Sequence, residues 1–107
     1  MSREYIDKFI ELFEAVWARP LMYFGKYDTD AVVLFTHGLY MSLSLTNHSF
    51  PALEIYREVS KNRGWHFNAL GIVPDMKAKG LSNEEMVKEL VSVEIEVWKT
   101  FRNNFEE

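Results

Sequence analysis

The residue with the greatest chemical potential in this 107-residue chain is Glu94. On a helical wheel it falls inside an apolar stripe, between Leu90, Val97 and Phe101. An unpaired carboxylate in such a place costs several kcal/mol, on the order of what burying an unsatisfied polar group costs, or stays protonated. It therefore needs a partner. Arg19 and His37 are the candidates, because both lie in or near apolar surroundings. Such a group acts either as a polar pair that locks the core or as an acid/base dyad, and the structural role is the expectation, since buried pairs perturb pKa values without catalysis. Glu94, Arg19 and His37 are accordingly assigned to a polar core, with no catalytic residue.

A second constellation is acidic. Glu85, Glu89, Ser92 and Glu96 follow an i, i+4, i+7, i+11 row, a ridge with no Lys or Arg in it. Residues 82 to 107 carry seven carboxylates against three cations, so this segment holds the net charge of −4 and the rest balances. The excess argues against nucleic acid as a direct partner, because such binding begins with Lys and Arg neutralising phosphates. It suits a basic protein. Asp28 and Asp30 could in principle hold a cation, but a cap pair at a helix start is the commoner meaning. His37, His48 and His66 have no metal-ligand spacing, and neither a Gly-x-Ser-x-Gly nor a Gly-rich phosphate loop occurs. No metal or cofactor is expected. With no Cys there is no disulfide framework, thiolate zinc site or cysteine nucleophile.

The elements that must position these residues read as helices. Residues 3 to 18, capped by Ser2, place Tyr5, Ile6, Phe9, Ile10, Phe13, Val16 and Trp17 on one face of roughly 140°. Arg19 ends that helix, because it precedes Pro20. The stretch Arg19-Pro20-Leu21-Met22-Tyr23-Phe24-Gly25 is too apolar for a plain linker and is expected to bury Leu21, Met22, Tyr23 and Phe24 as a plug. A second helix, about 30 to 46, has no charge after Asp30 and reads as the central element, covered on several sides. Gly38 and Ser42 on it would let another helix approach closely.

A third helix begins at Ser49-Phe50-Pro51 and ends at Lys61-Asn62-Arg63-Gly64, with cations in the last turn and Gly just beyond. On it, Ala52, Leu53, Tyr56 and Val59 line one side. Residues 65 to 81 lack a period and suggest a buried connection with a short helical turn after Pro74. Ser82-Asn83-Glu84-Glu85 is a capping box that opens a last helix, about 83 to 104. There Val91, Val93, Ile95 and Val97 alternate at strand period. The capping box and the length favour helix. The fold class is all-α: a single compact domain, 1–107, of about four main helices with a central apolar second helix. No signal peptide or membrane span is read in it, which makes the cytoplasm the expected compartment.

The stretch Arg19 to Gly25 resembles the Arg-Pro-Gly-Met-Tyr-Ile-Gly segment of type II topoisomerase ATPase domains. The next helix there binds magnesium and ATP, whereas Asn47 here has no Asp or Glu beside it, and the later Gly-rich loops are absent. That reading is rejected. A second likeness covers more of the chain: Arg-Pro-x-Met-Tyr-x-Gly, an apolar helix with Phe35-Thr36-His37-Gly38, a Phe-led helix ending in Gly64-Trp65, and a final helix with Trp98 and Phe101. This order is similar to that of small helical bacterial immunity proteins, encoded beside polymorphic toxins and contact-dependent growth inhibition systems. The resemblance implies an all-α inhibitor that binds a cognate toxin, often a nuclease, in the cytoplasm. One departure is Leu21 where the family has Gly. Leu resists the positive φ of a type II turn, so the loop is expected to be extended or type I.

The function expected is therefore a non-enzymatic immunity protein, a monomer in a 1:1 complex with a basic, RNA-cleaving toxin domain. The carboxylates offered as its contacts, on charge alone, are Glu85, Glu89, Glu96, Asp28, Asp30 and Asp75. The alternative is a helical adaptor or self-associating module, which an exposed aromatic patch of Tyr27, Trp65 and Phe67 would favour. An enzyme would need a polar cleft converging on His37, Glu94 and Arg19.

Overall fold

The structure, a computed structural model, describes residues 1–105. Among them are six helices and no strand: α1 (Arg3–Ala18), α2 (Pro20–Phe24), α3 (Thr29–Leu45), α4 (Ala52–Asn62), α5 (Val73–Ala78) and α6 (Asn83–Asn103). Four of them have eleven or more residues, and α2 and α5 are short turns of helix. No helix among the described residues is long and apolar enough to cross a membrane.

The centre is α6, not the second long helix. It packs against α1, α3 and α4 and buries Met86, Val87, Leu90, Val91, Val93, Glu94, Val97 and Trp98. Neighbours on three sides explain the strand-like alternation of Val91, Val93, Ile95 and Val97: apolar residues are needed nearly all round its waist. The start is fixed by the capping box. Ser82 Oγ accepts from the Glu85 N–H at 3.2 Å, and the Ser82 N–H donates to Glu85 Oε1 at 2.9 Å.

The absence of charge along α3 has a different meaning from the one expected. Val32, Thr36 and Leu43 are buried, but Leu34, Met41 and Leu45 are 72%, 65% and 79% exposed, and His37, Gly38 and Ser42 are also on the surface. Among the described residues, no atom outside the local helix comes within 4 Å of where a Gly38 Cβ would stand. The helix covers one side of α6 and turns an uncharged face with three large apolar side chains outward.

The Arg19–Gly25 plug is corrected too. Pro20 starts helix α2 at a position suited to its fixed φ and missing N–H, and only Pro20 of that helix is buried. Leu21, Met22 and Tyr23 are 47%, 69% and 40% exposed, and Phe24 alone reaches inward, edge-on to Phe35 at 5.8 Å. Leu21 is compatible here because the positive φ of 75° falls at Gly25, the C-cap. The apolar faces of Trp17 in α1 and Leu53 in α4 likewise remain largely in solvent.

Helix ends follow local rules. Ser2 caps α1 by accepting from the Tyr5 N–H, and Asp28 caps α3 by accepting from the Asp30 N–H. Gly64, with φ 86°, closes α4 in a Schellman motif: Gly64 N–H donates to Lys61 O and Trp65 N–H to Ser60 O. Asn47 closes α3 in the same way at φ 60°, with His48 N–H on Leu43 O. The connection after α4 makes a tight turn bridging Asn68 and Gly71 and buries Ile72 before α5.

The core is aromatic at its α6 end. Trp98 is wholly buried, stacked on Phe9 at 4.5 Å, tilted against Phe50 at 4.7 Å and parallel to Tyr40 at 6.3 Å. Phe50, just before α4, also stacks on Phe101 at 4.3 Å. A matched pair of substitutions tests which helix is central. In dilute solution Leu90→Ala should cost about 2–5 kcal/mol in urea denaturation. Leu34→Ala, of the same chemistry, should stay within about 0.5 kcal/mol.

Candidate functional site

Glu94 is buried as the stripe implied, but its partner is neither Arg19 nor His37. Both of those lie on the surface: Arg19 at the junction of α1 and α2, His37 on the outer face of α3. The Tyr40 hydroxyl, from the inner side of α3, donates to Glu94 Oε2 instead. Burial pushes the Glu94 carboxyl up to about 7, against a smaller downward pull from the Tyr40 hydrogen bond. The Tyr40 hydroxyl is raised well above its ordinary value, first by burial and then by the Glu94 charge. Tyr56 on α4 is raised by the same two causes. Glu94 is only 4% exposed, and Tyr40 also borders a groove with Ser44, Phe50 and Leu53. The pair joins α3 to α6.

The acidic ridge is occupied from within the chain. Arg63, the C-cap of α4, lays its guanidinium across it. Nε and Nη2 donate to Glu96 Oε1 at 3.1 and 2.9 Å, and Nη1 donates to Glu89 Oε1 at 3.1 Å and Ser92 Oγ at 3.0 Å. Burial opposes the Arg63 charge, but the Glu96 and Glu89 contacts more than offset it and hold its pKa above the ordinary value. The other Glu89 oxygen accepts from Trp65 Nε1 at 2.6 Å. Sequence reasoning gave Arg63 only the role of a helix-end cation. The signal for the rest was Ser92, a small hydroxyl between two carboxylates seven residues apart, which is room for a planar fork.

The remaining candidates are local. Glu85 serves the capping box, which draws its carboxyl below the usual range through the Ser82 backbone. Asp28 is the α3 cap, 4.0 Å from Lys26 Nζ, and Asp30 is exposed in the first turn. Asp75 is drawn down by the His66 backbone N–H at 2.8 Å and by Lys79 Nζ at 2.9 Å. Lys79 Nζ also donates to Gly64 O and sits 5.0 Å from the Trp65 ring centre. The structure thus brings Glu85, Glu89 and Glu96 onto one helix but not Asp28, Asp30 and Asp75 with them. The aromatic patch is not bare either. Trp65 is held by Glu89 and Lys79, Phe67 packs on Tyr56 and under Arg57, and the Tyr27 hydroxyl is raised above its ordinary value by Glu84.

What these contacts build is a groove of about 370 Å³ along the first half of α6, walled by Trp17 and Trp65 and floored by Glu85, Lys88, Glu89 and Ser92. Lys88 donates to Trp17 O at 2.7 Å and lies 4.2 Å from the Trp17 ring centre. Each indole already carries a cation of this chain, Lys88 on Trp17 and Lys79 on Trp65, with the Glu85 and Glu89 carboxylates beside them. Trp17 is 44% exposed although it lies on the apolar face of the α1 wheel, because α1 ends beside an open edge of α6. Among the described residues no group of three or more His, Asp or Glu could hold a metal ion.

Because burial raises the folded Glu94 carboxyl from 4.5 to about 7, the folded state holds the proton more tightly than the unfolded chain. Its contribution is complete below about pH 4.5 and is lost as pH rises to about 7, an effect on the order of 3 kcal/mol. Glu94→Gln, which still accepts from Tyr40, should flatten that part of a stability–pH profile and be the more stable protein at pH 8. For the fork, Arg63→Ala should cost about 1–3 kcal/mol in urea denaturation, and Arg63→Lys should recover less than half, since an ammonium cannot span both carboxylates.

No protein-family model, curated protein or solved structure matches this chain.

Proposed function

We propose that this chain is a non-enzymatic immunity protein, acting in the cytoplasm, that binds and neutralises a basic, RNA-cleaving toxin domain by covering its active site. The observation that carries the reading is the groove on α6, where Glu85 and Glu89 lie between Trp17 and Trp65. Tryptophan is among the residue types that supply most of the binding energy in protein interfaces. Carboxylates around it set charge complementarity, which speeds encounter and gives specificity more than raw affinity. The net charge of −4, concentrated from residue 82 onward, supports the same sign of partner.

The roles of the carboxylates differ in this reading. Glu85 is exposed and meets incoming cations first. Glu89 and Glu96 are already held by Arg63, so they are oriented in advance, and a partner cation must share them. Holding these groups rigid before binding lowers the ordering cost of the complex. The resemblance of Arg19–Gly25 and of the helix order to small immunity proteins points to the same class.

The test is calorimetric titration with the nuclease domain encoded in the adjacent reading frame, together with protection of cells that express it. The expected result is a complex of one toxin domain per chain that weakens with salt. Glu85→Gln keeps the cap acceptor while removing charge, whereas Glu89→Gln removes charge and leaves one oxygen for the two donors, Arg63 and Trp65; together they should lower affinity about tenfold at low salt, mainly through the association rate. Trp17→Ala should lower it through faster dissociation. No complex, no protection, or an affinity indifferent to all three changes would refute the proposal.

A further inference from the structure

We propose that the outward face of α3 is the interface of a homodimer, in which two copies of α3 pack antiparallel about a two-fold axis near residues 39 and 40. This inference is independent of the toxin reading, uses a different surface, and replaces the monomer expected from the sequence.

Leu34, Gly38, Met41 and Leu45 fall within about 60° of one another on the helix, along roughly 16 Å of its length. Large apolar side chains that are 65% to 79% exposed in a continuous row are unusual on a chain otherwise carrying 26% charged residues. The face carries no Asp, Glu, Lys or Arg, since none occurs between Asp30 and Glu54. A second copy can therefore approach without like-charge repulsion, the usual obstacle to self-association of an acidic protein.

The spacing of the row selects the occupant. Residues whose numbers sum to 79 face each other in an antiparallel pair about that axis. Leu34 then meets Leu45 of the other copy, and Met41 meets Gly38. Each chain brings one knob and one hollow, which is the self-complementarity that a two-fold interface demands. Gly38 is the poorest helix former after proline in mid-helix, and among the described residues no other element fills the space beside it. A long, adaptable Met side chain from a second copy fits that vacancy.

The area fits a weak dimer. Leu34, Met41 and Leu45 each offer on the order of 100 Å² of apolar surface. With His37 and Ser42 at the margins, each copy covers roughly 400–500 Å², which puts the pair in the size range of weak, reversible encounters, below about 1,200 Å².

Sedimentation equilibrium of the full chain should show a mass that rises from monomer to dimer with concentration in the micromolar range. Met41→Glu should raise the dissociation constant at least a hundredfold. Gly38→Ala should weaken the dimer at least tenfold while the melting temperature of the dilute monomer stays level or rises, which separates interface from fold. The chain has no cysteine, so direction can be read by cross-linking. Mild oxidation of a mixture of Leu34→Cys and Leu45→Cys chains should give the mixed disulfide dimer in preference to either like pair. A monomer at every concentration, a dimer indifferent to Met41→Glu, or a preferred like-pair cross-link would overturn the inference.

Discussion

Everything in this fold depends on burying α6 on three sides while its sequence still carries carboxylates at positions 89, 94 and 96. A helix surrounded by α1, α3 and α4 cannot send those groups to water from every face. Two solutions are built in. Glu94, facing α3, takes the Tyr40 hydroxyl and is pushed towards the neutral form. Glu89 and Glu96, facing the end of α4, take the Arg63 fork. Each is also a fastening, since the partner belongs to another helix, and the polar groups specify how α3 and α4 sit on α6 where apolar contacts alone would allow sliding.

Local features were legible in the sequence because their causes are local. Ser2, the Ser82–Glu85 box and Gly64 act within a few residues of themselves, and each stands where its type predicts. Pro20 opens a short helix for equally local reasons, although its neighbours Leu21 and Met22 do not fill the core. The error about the central element has one physical origin. Absence of charge along α3 suggests burial on all sides, but an apolar surface is satisfied by a neighbour inside the chain or outside it, and composition alone does not distinguish them.

The same limit applies to the site. That Glu94 needed a partner followed from the wheel, yet the choice of Tyr40 depends on how α3 is rotated against α6, which no spacing along the chain encodes. Arg63 and Glu89 are 26 residues apart, and their contact appears only once the Schellman motif at Gly64 has turned the chain. What the surface presents is therefore not a bare acidic ridge. It is a groove in which the charges are prearranged and two tryptophans stand at the walls, with a separate, uncharged face on α3.

The central claim is that α6 is the structural axis and α3 a cover with one face outward. Native-state hydrogen exchange of backbone amides in dilute solution tests it most directly, because amides in the axis open only when the whole domain unfolds. The account predicts that residues 90 to 98 of α6 exchange most slowly, with a free energy equal to that of global unfolding, and that the amides of α3 open at lower cost. Slowest exchange in α3, with α6 opening first, would contradict it.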